Sequence, residues 1–433
     1  MKMKATIRLA AVCSTILAAL GAGPALAGEL RIWIRASNDS RMVYEDIARA
    51  FEQKTGTRID YFNATTDFEQ RLARAAAGHV LPDLVFTDAA ALGQMRQMGI
   101  LEEVDRDGLP GAGELYPAAW DSARAGDGRY YAVPVSVQSF ALFIRKDWRE
   151  KLGLPQPRTW GDLRKLAEAF TREDPDGNGR NDTYGFILPA STTRGYASWF
   201  MSSFLWQAGG GFLKEAGNGL FSPAMAQPAN VEALAFMRGL VCDGLTQPGA
   251  INATTADVVP SFRSGQAGMF FSGPYHIALF DKEPGRDKIE VTEPPTGPGG
   301  AETLAEGTNA YFMKDSAERE AARQFVAFFI SPEAQTLGMA VGSGHTPVVR
   351  LPVNRKASLN ETFDDPRWRL FGQLYADQGR YVPAIPNWTP VRMDTADAFN
   401  RVFADCNSDI AAILRQLDTS VAQELKEQGV LAP

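Results

Sequence analysis

Between residues 29 and 99 the chain alternates short apolar runs of strand type with amphipathic runs of helical spacing, and this rhythm constrains the fold more than any other feature. Glu29–Ile34 alternates polar and apolar residues and predicts a first strand. Asp39–Gly56 places Met42, Val43, Ile47, Ala50 and Phe51 at helical spacing and stops at a glycine. Arg58–Phe62 predicts a second strand, Asp67–Gly78 a second helix, Leu84–Phe86 a buried third strand and Ala89–Gly99 a third helix. A β-α-β-α-β order implies a mostly parallel sheet covered on both faces. Ligands of such sheets sit beyond the carboxyl ends of the strands. Those ends are Arg35–Asp39, Asn63–Thr66 and Thr87–Asp88.

The first 27 residues do not belong to that pattern. Lys2, Lys4 and Arg8 precede an apolar run from Leu9 to about Leu20, and Ala25 and Ala27 are the small residues of a cleavage site. The expectation is an export signal cut after Ala27. The run is short for the ~30 Å hydrocarbon core. Cys13 lies early within it, so no lipid-anchor box follows. Removing 27 residues from 433 leaves 406, and removing three basic residues takes the net charge from −7 to −10. An acidic surface argues against a general grip on nucleic acid. The exported chain keeps Cys242 and Cys406, which a disulfide or two buried thiols would equally satisfy.

A long β-prone run, Val135–Arg145, holds the polar residues Ser136, Gln138 and Ser139. Together with its flanks it resembles the family 1 extracellular solute-binding proteins of ABC importers. The segment from Glu114 to Pro134 is similar to that family's Y…W…DG-YYAVP stretch. Leu152–Pro155 with Thr159–Leu163, Phe262–Tyr275, Gly307–Pro332 and Gly344–Pro347 are similar to further family segments, in the same order. The resemblance implies an α/β, two-lobed periplasmic-binding-protein fold of type II. Three interlobe crossovers and a ligand cleft between the lobes go with it. Lobe 1 would comprise residues 28–137 and 304–332, and lobe 2 residues 138–303 and most of 333–433. The crossovers would fall near Ser136–Gln138, Thr303–Gly307 and Ser331–Gly338. The implied function is capture of a carbohydrate by hinge closure and its delivery to permease subunits. The protein would be a monomer in the periplasm.

Sugars pack their C–H faces on aromatic rings and pair their hydroxyls with a few placed polar groups. The aromatic candidates are Tyr196, Trp199, Tyr275 and Trp388; the polar ones are Ser37, Asn38, Asp39, Glu69, Asp88, Gln138, Gly307, Thr308, Asn309 and Arg392. Asp88 leads, because a carboxylate accepts from two vicinal hydroxyls at once. Within the same fold a charged solute is the alternative. A polyamine would use Glu69 and Asp88. A phosphodiester or sugar acid would use Arg194 or Arg392. A second class is a secreted carbohydrate-active enzyme or a sensor partner. The chain has three His, His79, His276 and His345, none near another, and lacks G-x-S-x-G, H-E-x-x-H and P-loop motifs. Sequence does not exclude a glycosidase pair of carboxylates.

Asp174-x-Asp176-x-Asn178-Gly179-Arg180-x-Asp182 contains the oxygen donors of a calcium loop, with Arg180 contributing its carbonyl. Gly185 stands where an EF-hand has its bidentate Glu. The alternative is an Asx-stabilised turn. No cofactor is required by the reading, and a structural calcium is the one it admits.

Overall fold

The computed structural model describes residues 29–36, 38–64, 67–339, 350–357 and 365–433, with the side chains of residues 38–40 and 338–339 excepted. The leader, Cys13, Ser37 and the Gly344–Pro347 segment lie outside the described residues.

Ten strands build two sheets. In chain order they are β1 (Glu29–Ile34), β2 (Arg58–Asn63), β3 (Leu84–Asp88), β4 (Val133–Gln138), β5 (Ala141–Arg145), β6 (Tyr184–Ile187), β7 (Ala267–Ser272), β8 (Ile289–Thr292), β9 (Glu306–Phe312) and β10 (Leu351–Pro352). The larger sheet has the order β10-β4-β9-β3-β1-β2 and the smaller β8-β5-β7-β6. β1 pairs in parallel with both β2 and β3. The expected parallel core is present, but β9 runs antiparallel between β3 and β4. It therefore starts where its neighbours end, and Glu306 sits opposite Gln138 while Thr308 sits opposite both Ser136 and Asp88.

The helices that place functional residues are α1 (Asn38–Thr55), α2 (Phe68–Ala77), α3 (Tyr196–Gln207), α4 (Arg319–Phe329), α5 (Pro332–Met339), α6 (Pro366–Gln378) and α7 (Trp388–Ala404). α1 and α4 cover the larger sheet through Phe51, Phe86, Phe325 and Phe329, whose rings meet at 5.2–6.1 Å. α3 is buried along most of its length. Phe200 and Phe204 pack on Phe270 and Phe271 of the smaller sheet, at 6.0 and 5.6 Å.

The run Val135–Arg145 is cut into two strands of different sheets. Only Ser139 and Phe140 separate β4 from β5. The passage between the two halves thus falls just after the expected Ser136–Gln138. The polar residues explain it: Ser139 is buried and donates its hydroxyl to the Phe371 carbonyl at 2.9 Å, and the Phe140 N–H meets Thr303 Oγ1. The chain returns over residues 293–305, from β8 to β9. Beyond it, the structure differs from the expected boundaries. α5 packs against α1, and Leu351–Pro352 pair with Val137 and Ser136. The chain is therefore still with the larger sheet past Ser331–Gly338. Gln335 fixes this, accepting from the Val353 N–H and donating to the carbonyls of Val135 and Phe329.

Cys242 and Cys406 form a disulfide, Cα to Cα 5.9 Å, resolving the two alternatives. Among the described residues no helix is long and apolar enough to cross a membrane.

Candidate functional site

Three strand ends of the larger sheet converge on the first residue of β9. Arg35 follows β1 and donates its N–H to the Phe86 carbonyl at 2.8 Å. Asp88 ends β3, Gln138 ends β4, and Glu306 opens β9. Across the cleft the smaller-sheet half supplies Arg194, Tyr196 and Trp199 around the start of α3, then Tyr275 after β7 and Arg392 on α7. These groups line a cavity of about 500 Å³. That is within the usual range for small-molecule sites.

Charge organises the floor. Arg35 hydrogen-bonds Asp88, and Arg350 lies 3.5 Å from the other oxygen of that carboxylate. Arg350 also donates to Thr308 Oγ1. Burial alone would raise the Asp88 pKa, but Arg35 and Arg350, with Arg194 and Arg392 beyond them, outweigh it and hold it below the ordinary range. Glu306 goes the other way. Burial first, then the charge of Asp88, push its pKa up to about 7 against the pull of Arg350, Arg35 and Arg392. Gln138 donates to it at 2.7 Å. His276, buried among Phe143, Phe270 and Phe280, is pushed down to about 3 and stays neutral.

The walls are aromatic. Tyr196 and Trp199 meet edge to face at 6.1 Å, and Trp199 leans on Phe140 at 5.6 Å. Tyr275 packs on His276 at 4.6 Å and accepts from the Ser272 hydroxyl at 3.2 Å. Gly195 precedes α3 with φ +77°, and a Cβ there would stand 2.6 Å from Arg392 Cγ. The glycine both permits the turn and lets the Arg392 stem lie against it.

Of the residues singled out from sequence, Asp88, Gln138, Arg194, Tyr196, Trp199, Tyr275, Thr308 and Arg392 line this cavity. Glu69 stands at its edge, 3.6 Å from Arg35 and 3.3 Å from Arg194. Gly307 is in the sheet, where a Cβ would press within 2.1 Å of the Ser136 carbonyl oxygen. Asn309 faces away and exchanges hydrogen bonds with Ser122, because alternate residues of a strand point to opposite faces. Trp388 is packed edge to face on Phe212 at 5.1 Å, outside the cleft wall, because it opens α7 while Arg392 lies one turn further on. Asn38 and Asp39 open α1; their side chains, and Ser37, are not described.

Sequence reasoning missed Arg35, Tyr44, Ser136, Glu306 and Arg350, which also line the cavity. Arg35 was within reach of the strand-end rule. Glu306 adjoins the chosen Gly307, but its role depends on β9 running antiparallel. Arg350 lies in a stretch with no periodic signal.

The Asp174–Asp182 loop closes on itself. Asp174 accepts from the N–H groups of Gly177, Asn178 and Gly179; Asn178 donates to Asp176 and Asp182; Arg180 pairs with Asp182 at 2.9 Å. Among the described residues no three metal-ligating His, Cys, Asp or Glu side chains converge.

The profile of the bacterial extracellular solute-binding proteins matches residues 39–336. The chain belongs to that family. Family members bind solutes. A binding protein of Brucella abortus is 24% identical over 390 residues, 88% of this chain and 90% of its own length. The galactooligosaccharide-binding protein of Bacillus subtilis is 22% identical over 80% of this chain and 77% of its own. The fold matches the GacH receptor of Streptomyces glaucescens, solved without ligand and with acarbose, at a TM-score of 0.79. The identity is 20%, covering 93% of this chain and all of that one. The two-lobed fold with its cleft is therefore that of this family of binding proteins.

Proposed function

We propose that this chain is the extracellular solute-binding component of an ABC importer, and that it captures a carbohydrate in the cleft and hands it to the permease. The observation that carries this is the meeting of aromatic walls (Tyr196, Trp199, Tyr275) with a polar floor (Asp88, Gln138, Glu306, Thr308) in one cavity between two halves. Rings receive the C–H faces of a pyranose and the floor its hydroxyls. The relative named for galactooligosaccharides and the structural neighbour solved with acarbose support the same class. Two passages of chain between the halves, at Ser139–Phe140 and over residues 293–305, are suited to hinge closure. The chain is exported by its leader, cut after Ala27, into the periplasm, and works as a monomer.

One observation favours a second reading. An ionised Asp88 beside a Glu306 that holds its proton is the pattern of an acid–base carboxylate pair. Both oxygens of Asp88 are engaged by Arg35 and Arg350, which makes it a poor nucleophile. We therefore take the cleft to hold its ligand without transforming it. No cofactor enters this account, and calcium at Asp174–Asp182 is checked by chelator titration of the melting temperature.

The test is thermal unfolding of the mature protein with a panel of mono- and oligosaccharides. A ligand that binds only the folded state stabilises it by about 2.7 kcal/mol at a hundredfold excess over Kd. Stabilisation with the saccharide recovered intact supports the proposal; no stabilisation by any saccharide, or its cleavage, overturns it.

A further inference from the structure

We propose that the carbohydrate taken by this cleft carries a carboxylate, as a uronic or aldonic acid or an oligosaccharide containing one, and that Arg392 receives that group. The inference rests on the carbohydrate reading above and narrows it.

The chain as a whole carries a net charge of −7, yet four guanidiniums, Arg35, Arg194, Arg350 and Arg392, line one cavity. The ion pairs of the neighbouring carboxylates do not reach all four. Asp88 is shared between Arg35 and Arg350, and Glu69, at the edge, between Arg35 and Arg194. Among the described residues Arg392 has no carboxylate partner, and its uncompensated charge matches a monoanion. It also turns away polyamines, because the carboxylates that would hold an ammonium already hold guanidiniums.

A second observation is independent of the ion pairs. Among the described residues, Arg392 Nε and Trp199 Nε1 are buried in this cavity's lining without a hydrogen-bond acceptor, and Gln138 Oε1 without a donor. Buried donors are normally paired. A hydroxyl brings a donor along with its acceptor sites, whereas a carboxylate brings acceptors alone. A guanidinium meets a carboxylate through two parallel N–H bonds, which fixes orientation as well as charge. The Arg392 side chain lies against Gly195, which holds it beside the start of α3, in the same lining as Trp199 and Tyr196.

The experiment is calorimetric titration of the mature protein with matched pairs: galacturonate and galactose, glucuronate and glucose, and the di- and trisaccharides of each, with the corresponding sugar 6-phosphates as a third arm. The expected result is that in at least one pair the acid binds tenfold or more tightly than the neutral sugar. That preference should fall with added salt. It should shrink towards unity in Arg392→Gln, and Arg392→Lys, which keeps charge without the bidentate fork, should retain part of it. Melting temperatures of both variants verify that they are folded. Neutral sugars binding as tightly as their acids, sugar phosphates binding better than carboxylates, or an unchanged preference in both folded variants overturns the carboxylate and leaves the carbohydrate reading standing. Binding of a simple dicarboxylate such as glutarate with no saccharide, acidic or neutral, overturns the carbohydrate reading. Binding of none of these probes counts against both.

Discussion

Asp88 and Glu306 are two carboxylates of one cleft driven apart by their neighbours. Asp88 is surrounded by guanidiniums and stays ionised, while Glu306 is desolvated beside an existing negative charge and keeps its proton up to about 7. The Glu306 pKa is raised on folding, so its contribution to stability is fully present below the ordinary carboxylate value of 4.5. That contribution declines as pH rises towards about 7 and is lost above it. Glu306→Gln removes this dependence. Melting curves of the two proteins should diverge between pH 4.5 and 7, the variant gaining; parallel curves would show that Glu306 titrates normally. Asp88→Ala should weaken saccharide binding tenfold or more, since Arg35 and Arg350 lose the group that orients them, and titration calorimetry of the folded variant checks it. At this scale the sequence revealed residue types better than residue directions. Asp88, at a strand end, was legible from the β-α rhythm alone. Asn309 and Thr308 are adjacent and chemically alike, yet one faces Ser122 and the other the cleft. A strand's alternation separates them only once its register is known.

Elements carry the geometry that makes those residues meet. β9 runs against its neighbours, and for that reason Glu306 and Thr308 arrive at the same end of the sheet as Asp88 and Gln138. No short-range signal marks such an insertion, which explains why Glu306 escaped a reading that found the strands on either side. The first three strands and the two helices between them were legible because their periods are strong and local. The break at Ser139–Phe140 was visible only as polar residues in a β-prone run, and it lies just after the expected position. Gly195 belongs to this scale too. Gly195→Ala would place its Cβ against the Arg392 stem and strain a left-handed turn. We expect a loss of about 1–3 kcal/mol in stability and weaker saccharide binding. Denaturant titration checks the first and calorimetry the second; wild-type values for both would mean Arg392 is not held there.

At the scale of the whole molecule, two sheets and the passages between them form a cleft whose described lining gathers four arginines in an otherwise acidic chain. The disulfide from Cys242 to Cys406 ties together segments 164 residues apart. It should contribute about 2–5 kcal/mol by restricting the unfolded chain. Reduction should lower the denaturation midpoint while leaving saccharide affinity unchanged, because neither cysteine lines the cleft. An unchanged midpoint would show the bond to be energetically idle. The two-lobed plan was legible only through resemblance, since long-range pairing such as that of Leu351 with Val137 leaves no local pattern in the chain. The central claim is that this cleft binds a saccharide without consuming it, and titration calorimetry of the mature protein with recovery of the ligand tests it most directly. The account predicts saturable binding at one site per chain, with the saccharide returned intact. A protein that binds no saccharide, or that returns it cleaved, would contradict it.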